Sequence, residues 1–495
     1  MDLIGLKNDK LQPVGDKEIE YELESPNSFF GLHANLVPMQ GALQGPRLFY
    51  GAKFQNQALP LVKGEAPLVQ TLVDNDEKGR SFDDIAGASS GSAVSRGAGQ
   101  VIKTGKDGID IMGDDGEKYT VPIYNNFLFN RKTAINSTPV VSKGDRVEEG
   151  QVIAKSNYTD DKGTLSLGLN ARVGVVPYKG HSLDDSIVVS EAFAKRMSSD
   201  HMESYTAEYN KGHKGGKAHH MGIFASSRGK DYYKNEQLDK LDDAGVAKIG
   251  QILYPGDPML LSTKPKAISS TSAQLGKLSN FMKNSRSDAS QVWEGAGPGL
   301  VTDVVKGKNR SKITVQSIKP SKVGDKIVFR SGQKGVISKI IPDEHMPRTK
   351  DGNNLEVLLN PLGIPSRINN SIVYELLLGK VAAKKGKPFK LPSFNKQGEK
   401  WYDYVQQQLD ENGVTDVEEI FDPQENRKLE NPVTVGNGYI LKLHHTSGSK
   451  VSGRAQGAYD VNEQPLKGGD EMAKSKRISS LEDWALLSAG AYGAL

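Results

Sequence analysis

Glycine-bounded alternation is the feature that most constrains this chain. From Gln100 to Glu191, the segments GQVIKTG, GIDIMG, KYTVPIY, PVVSKGDRV and GQVIAKS alternate apolar and polar residues between glycine-containing turns. Side chains on a strand point to opposite faces in turn, so this pattern predicts short, half-buried strands. The segments LGLNARVGVVPY and DSIVVSEAF follow, and the second is expected to pass from strand to helix at Ser190-Glu191. With 53 glycines and 23 prolines, many turns and short strands are expected along the whole chain rather than long helices.

The 495 residues suit several small cores in an elongated chain of mixed α+β, beta-rich class, because only 36 % of them are apolar. Residues 1–85 mix short apolar runs with turn residues. Residues 86–99, AGASSGSAVSRGAG, have the composition of a flexible linker or loop. Residues 100–191 form the strand-rich region, and 192–320 an appended lobe with a helix near Asn235 to Asp243 and a strand pair around VAKIGQILYPGDPMLLST. Strands return over 321–370. Residues 371–434 carry helical spacing at Val373, Leu376 and Leu377 and again at Tyr404, Val405 and Leu409. Residues 435–495 run from strand-like NPVTVGNGYILKLHH to a helix start, where Ser479 and Glu482 have capping-box spacing.

Charge alone decides little. The 64 Lys and Arg against 60 Asp and Glu leave the chain nearly neutral. Locally, Lys306 to Lys350 holds twelve basic residues against Asp325, Asp343 and Glu344. Such a segment is either a solvated lysine-rich surface or one that attracts a phosphate backbone. The absence of cysteine excludes disulfides, thiolate zinc sites and a cysteine nucleophile. No apolar run is long enough to span a bilayer, and the start lacks a signal-peptide pattern, so a cytoplasmic protein is expected. His213, His219 and His220 allow a metal site or a mobile basic loop, and no acidic or thiol ligand sits beside them.

Three constellations carry potential chemistry. In GDKIVFRSGQKGVISKI, a strand would place Lys326, Val328 and Arg330 on one face, with Ser331-Gly332-Gln333 as a turn delivering Lys334. Lysines there suit phosphate oxygens, or the element is an ordinary exposed hairpin. In NPLGIPSRINN, Pro361 and Pro365 stiffen a loop holding Arg367, either for a triphosphate or in a structural salt bridge. In GHSLDDSIVVSE, Asp184 and Asp185 could hold a hard cation or cap a turn. No P-loop, HExxH, GxSxG or cluster of three carboxylates on one loop appears, so any permanent catalytic Mg²⁺ is expected on another chain.

Taken together, the motifs resemble the beta subunit of multisubunit RNA polymerases. NLVPMQGALQGPRLFYGAKFQNQALPLVKGEAPLVQT resembles its fork region, LGLNARVGVVPYKGHSLDDSIVVSEAF its GxxxEDSI block, and KLDDAGVAKIGQILYPGD the stem of its flap. VGDKIVFRSGQKGVISKIIPDEHMPRTKDGNNLEVLLNPLGIPSRIN is the closest block, and NPVTVGNGYILKLHHTSGSKVSGRAQGAYDVNEQPLKGGD with LEDWALLSAGAYGAL resembles the last part of beta. The resemblance implies a double-psi beta-barrel from blocks near 170–190, 321–370 and 435–460, with a flap-like lobe inserted at 192–320 and a fork-like region at 1–85. It implies that Lys326 and Lys334 reach the RNA 3′ end and the phosphates. It assigns Arg47 and Arg367 to the triphosphate, and the Asp184–Asp185 pair, Asp185 above all, to a second, nucleotide-borne Mg²⁺. Gln57, Arg330, Gln333, His445, Lys450 and Arg454 would contact nucleic acid along the RNA path. The implied partners are a beta-prime-like chain holding the main Mg²⁺, an amino-terminal beta-like chain, a sigma-like or promoter-specificity subunit, DNA template, RNA and NTPs.

The departures from the family pattern are specific. Asp184 stands where Glu is usual, Asn56 where Arg is usual, Ser331 for His and Gln333 for Asn. Against the family pattern the sequence lacks the amino-terminal half of beta and stops at Gly493-Ala494-Leu495, where a full beta continues into a tail; the resemblance then implies a split beta with a shortened tail, as in giant-bacteriophage polymerases. That origin implies host cytoplasm, with packaging in a virion left open. The alternative is a nucleic-acid-binding or scaffold protein that kept the fold without the chemistry.

Overall fold

The computed structural model describes the chain apart from residues 1–2, 9, 16–17, 22, 24, 130–131, 209–213, 218–232, 266–285, 296, 308–309, 396–397, 451–462, 465–477 and 495. It divides into two units, Met1–His444 and His445–Leu495.

The first unit is organised around a closed six-stranded barrel. Its strands are β1 (Gly168–Val175), β2 (Ser186–Ser190), β3 (Lys326–Phe329), β4 (Lys334–Ile341), β5 (Val357–Leu359) and β6 (Val433–Lys442). The order is β1-β5-β2-β4-β3-β6, and β6 pairs back to β1 to close the ring. Two pairings are parallel, β1 with β5 and β2 with β4; the others are antiparallel. Closure removes the unpaired edges that an open sheet would expose.

The sequence explains why these segments lie inside. In β1, Leu169, Ala171 and Val173 alternate onto the barrel core, where they meet Ile187, Ile327 and Ile440. Strand β2 is apolar throughout because both of its faces are covered: Ile187 and Val189 face one core, Val188 another. Ser190 ends β2 and caps a helix at Glu191–Arg196 by accepting from the Phe193 amide, as its sequence predicts.

Between β2 and β3 lies an inserted lobe. Long antiparallel strands, Ser199–Glu208 and Arg310–Lys319, form its stem, and Trp293, Leu253 and Val315 fill a separate core. The helix expected near Asn235 to Asp243 is limited to Asn235–Leu238. Residues 99–156 form a further strand-rich region with its own core around Val101, Ile109 and Ile153.

Residues 86–99 are only in part the linker or loop that their composition suggests, since 90–92 and 95–98 alone lie outside helix and strand. They continue a helix, Phe82–Ser89, opened by a capping box between Ser81 and Asp84, and then a strand at Ala93–Val94. Gly87 is there for close approach: a Cβ on it would sit 1.8 Å from the Gly163 carbonyl oxygen. The helical spacing after the barrel core yields helices α2 (Asn370–Lys385) and α3 (Trp401–Asn412), preceded in the chain by α1 (Gly45–Gln55).

The second unit contains the helix Ser480–Ser488, with the capping box of Ser479 and Glu482 in place. Of the third expected barrel block, 435–460, the described residues contribute strand to the barrel up to Lys442, and His445 onward belongs to this unit. No helix among the described residues is long and apolar enough to cross a membrane.

Candidate active site

Three segments meet beside the β3–β4 turn. The turn itself is closed by backbone bonds from the Gly332 amide to the Phe329 carbonyl and from the Phe329 amide to the Gln333 carbonyl. Gly332 has φ +81°, and a Cβ there would lie 2.4 Å from the Arg47 carbonyl. A Cβ on Gly51 would lie 2.2 Å from the Arg330 carbonyl. Two glycines thus let α1, which carries Arg47, lie directly on the turn. Arg47 stacks on Tyr50 at 5.3 Å, and its Nε has no partner among the described residues.

The second segment is the loop after β5. Pro361 and Pro365 each open a short 3₁₀ turn, and the Asn360 side chain accepts from the Leu362 amide. Ile368 is left-handed, with φ +49°, and the buried Asn369 side chain donates to the Ser331 carbonyl at 3.1 Å. The Ile368 carbonyl accepts from the Gln44 amide at the start of α1. Loop, turn and helix are therefore tied together pairwise, and Arg367 is held beside Gln333.

The third segment is the turn into β2. Asp184 and Asp185 both take left-handed backbone, φ +49° and +66°. The Asp185 carboxylate accepts from both terminal nitrogens of Arg367, with Nη2–Oδ2 at 2.6 Å. Gln333 bridges the pair: its oxygen accepts from Arg367 at 3.1 Å and its nitrogen donates to Asp185 at 3.4 Å. Hydrogen bonding from Arg367, reinforced by its charge and that of Lys334, holds the Asp185 carboxyl below the usual carboxylate range. The same contact raises Arg367. The pair remains accessible, with side chains 34 % and 27 % exposed.

Lys326 and Lys334 share a face of the β3–β4 ladder, since Lys326 pairs with Val336 and Lys334 with Val328. Lys334 is exposed, with its ammonium 5.8 Å from the Phe54 ring centre, while Lys326 is half-buried. Gln57 lies by the end of β6, where its carbonyl accepts from the His444 amide and the adjoining Ala58 bridges Leu443. Asp184 is exposed.

Several sequence expectations need correction. Arg330 cannot line an RNA path in this conformation, because its side chain is 2 % exposed and paired with Glu375 at 2.7 Å. It sits one residue past the end of β3, on the face that the rest of the unit covers. Gln333 is also buried, and its side chain serves Asp185 and Arg367 rather than a nucleic acid. Asp185, expected near a second, nucleotide-borne Mg²⁺, has both its oxygens hydrogen-bonded to Arg367. No cluster of three or more His, Asp or Glu among the described residues is placed to hold a metal ion. His445 and Lys450 belong to the second unit, half-buried and exposed respectively. Arg454, His213, His219 and His220 lie outside the described residues.

The sequence reading missed the partners of Arg330. One signal was present: Glu375 interrupts the apolar run of α2, and a carboxylate at a core position needs a buried partner.

A barrel flanked by an inserted lobe, with a cationic cluster tied across three segments, defines a class that sequence comparison identifies further. Residues 109–471 match the model of RNA polymerase Rpb2, domain 6, and the chain belongs to that family. It is 32 % identical to the DNA-directed RNA polymerase subunit beta of Mycoplasmopsis pulmonis, over 97 % of this chain and 40 % of that protein. It is 31 % identical to the subunit of the same name from Thermosynechococcus vestitus, over 96 % of this chain and 44 % of that protein. The chain thus spans about two fifths of the length of the curated relatives it matches.

Proposed function

We propose that this chain is the carboxy-terminal beta-type part of a multisubunit DNA-dependent RNA polymerase, forming one wall of the active site and of the RNA–DNA hybrid channel. The observation that carries the reading is that the segments bearing Arg47, Lys334 and Arg367 pack together around the β3–β4 turn, in a chain of this family. In the proposed reaction an RNA 3′ hydroxyl attacks the α-phosphate of an NTP, a new phosphodiester bond forms, and pyrophosphate leaves. Cations aimed at the triphosphate stabilise the charge that develops on the leaving group.

In this reading the barrel is of the double-psi type, the inserted lobe is flap-like and residues 1–85 are fork-like. Lys326 and Lys334 face the RNA 3′ end and phosphates, and Gln57 follows the RNA path; the resemblance separately assigns nucleic-acid contacts to His445, Lys450 and Arg454. A beta-prime-like partner holds the main Mg²⁺, an amino-terminal beta-like chain completes beta, and a promoter-specificity subunit directs the complex.

Arg367 enters this scheme already engaged. To meet a triphosphate it must exchange Asp185 for phosphate oxygens. The pair is half-exposed, where ion pairs are worth only about 0–1 kcal/mol, so a polyanion can displace the carboxylate. The test is nucleotide addition by the assembled complex. Lys334→Ala and Arg367→Ala should impair elongation while the subunits still co-purify. Normal elongation by both variants would overturn the assignment.

A further inference from the structure

At the end of β3, where the chain enters the β3–β4 turn, lies a second, buried set of charges. Arg330 donates from Nε and Nη2 to one oxygen of Glu375, at 3.0 and 2.7 Å. Its Nη1 lies 3.6 Å from Asp83. It also donates to the carbonyls of Val69 at 2.6 Å and Leu36 at 3.4 Å, and its guanidinium packs over Tyr439 at 5.2 Å. The Tyr439 hydroxyl donates in turn to the Glu65 carbonyl and accepts from the Gly168 amide, each at 2.7 Å. One side chain thus joins the segments at 36, 69 and 83 to α2 and β6, and Tyr439 carries the link to β1.

The backbone of the same residue is part of the active-site frame. The Arg330 carbonyl abuts Gly51 of α1, the Ser331 carbonyl accepts from Asn369, and Gln333 contacts both Arg367 and Asp185. The set is not balanced for stability alone. It places two buried carboxyl groups around one guanidinium, and Asp83 Oδ2 and Glu375 Oε2 have no hydrogen-bond partner among the described residues. Buried ion pairs of this kind are poor sources of net stability, and their best-attested use is to specify one arrangement.

We propose that Arg330, anchored by Glu375 and Asp83, is a positioning residue: it fixes the β3–β4 turn so that Lys334, Arg47 and Arg367 are held in register for the triphosphate. It touches neither RNA nor nucleotide and acts through the turn that follows it. The inference rests on the active-site reading above and adds the buried device that sets its geometry.

The experiment is a double-mutant cycle on nucleotide addition by the assembled polymerase. It compares the unmodified complex with Glu375→Gln, Lys334→Ala and the pair together, separating kcat from the KM for NTP. Glu375→Gln keeps the volume of the side chain and removes its charge. The expected result is a loss of about tenfold in kcat/KM for Glu375→Gln, most of which disappears when Lys334 is already Ala. Should Glu375→Gln prevent assembly, Asp83→Asn takes its place in the cycle, because it leaves Arg330 paired with Glu375. Multiplicative losses, or a Glu375→Gln enzyme with lowered thermal stability but unchanged kcat and KM, would overturn the positioning role and leave the active-site reading standing. A fully active Lys334→Ala complex would overturn both.

Discussion

Two arginine–carboxylate clusters border the β3–β4 turn, one at Arg330 and one in contact with Gln333, and they differ most in burial. Arg330 and Glu375 are each 2 % exposed, whereas Arg367 and Asp185 are 27 % and 34 % exposed. The chemistry of the pairs is the same. Burial makes the first a fixed strut, because separating its charges would strand them without water. Partial exposure makes the second exchangeable, because solvent or a ligand phosphate can replace either partner. A charged residue in a family motif is thus assigned to frame or to chemistry by what covers it.

The hardest test of this contrast is to remove the buried cation. Arg330→Met leaves two carboxylates without their guanidinium and is expected to cost about 3–5 kcal/mol in denaturant unfolding. The loss should be larger at pH 8 than at pH 5, where the carboxyls can take up protons. Adding Glu375→Leu should recover part of it, since an apolar pair can replace an ion pair of similar volume. A loss below about 1 kcal/mol would mean that the buried cluster behaves like a surface pair, and the contrast would fail.

That contrast was only half legible in the sequence. Alternation placed Lys326, Val328 and Arg330 on one side of a strand, and Val328 and Arg330 do lie on a common side, near Tyr439. Period two cannot say which stretch of that side is covered, because the cover comes from residues as distant as Leu36, Asp83 and Glu375. The strands of the barrel were legible wherever apolar runs were bounded by glycine or charge, as in β2 and β4. Residues 86–99 misled for a physical reason: small residues serve both flexibility and close packing, and only the Gly163 carbonyl against Gly87 decides between them. A salt-bridged Arg367 was one of the two readings of its loop, but Asp185 as the partner was not legible, since the two motifs are 182 residues apart.

On the exposed side, Lys334→Ala removes a cation aimed at the proposed reacting phosphates. A rate loss on the order of 10²–10³ is expected, by analogy with the removal of one preorganised electrostatic group. Single-turnover nucleotide addition measures it. The unfolding free energy should change little, because Lys334 is exposed and its recorded contact is with the Phe54 ring.

Asp83 sharpens the buried side through pH. Burial, only partly offset by Arg330, pushes its carboxyl up to about 7. The folded protein therefore keeps a proton that an unfolded chain releases near an ordinary carboxylate value of about 3.9. Between those values the folded state binds more protons than the unfolded state, so this group makes stability fall as pH rises, until it levels off above about 7. Asp83→Asn removes the dependence. The variant should gain on the order of 1–3 kcal/mol relative to the parent at pH 8 and little at pH 4. Equal effects at both pH values would show that Asp83 is ionised throughout.

The smallest expected effect is at the exchangeable pair. Asp185→Asn should cost less than about 1 kcal/mol of stability, since its partner is half-exposed and screened. Hydrogen bonding from Arg367 lowers the Asp185 carboxyl. Its contribution is therefore present above the ordinary carboxylate range and is lost as pH falls through that lowered value; at neutral pH it is flat. The informative readout is nucleotide binding. If the resting carboxylate competes with the triphosphate for Arg367, removing its charge should lower the KM for NTP, by less than about fivefold given an ion pair this weak. High salt should shrink the difference, because screening weakens the competing pair in the parent as well. A KM that rises in Asp185→Asn would show that the carboxylate orients Arg367 for the triphosphate, which would make both clusters struts and erase the distinction between them.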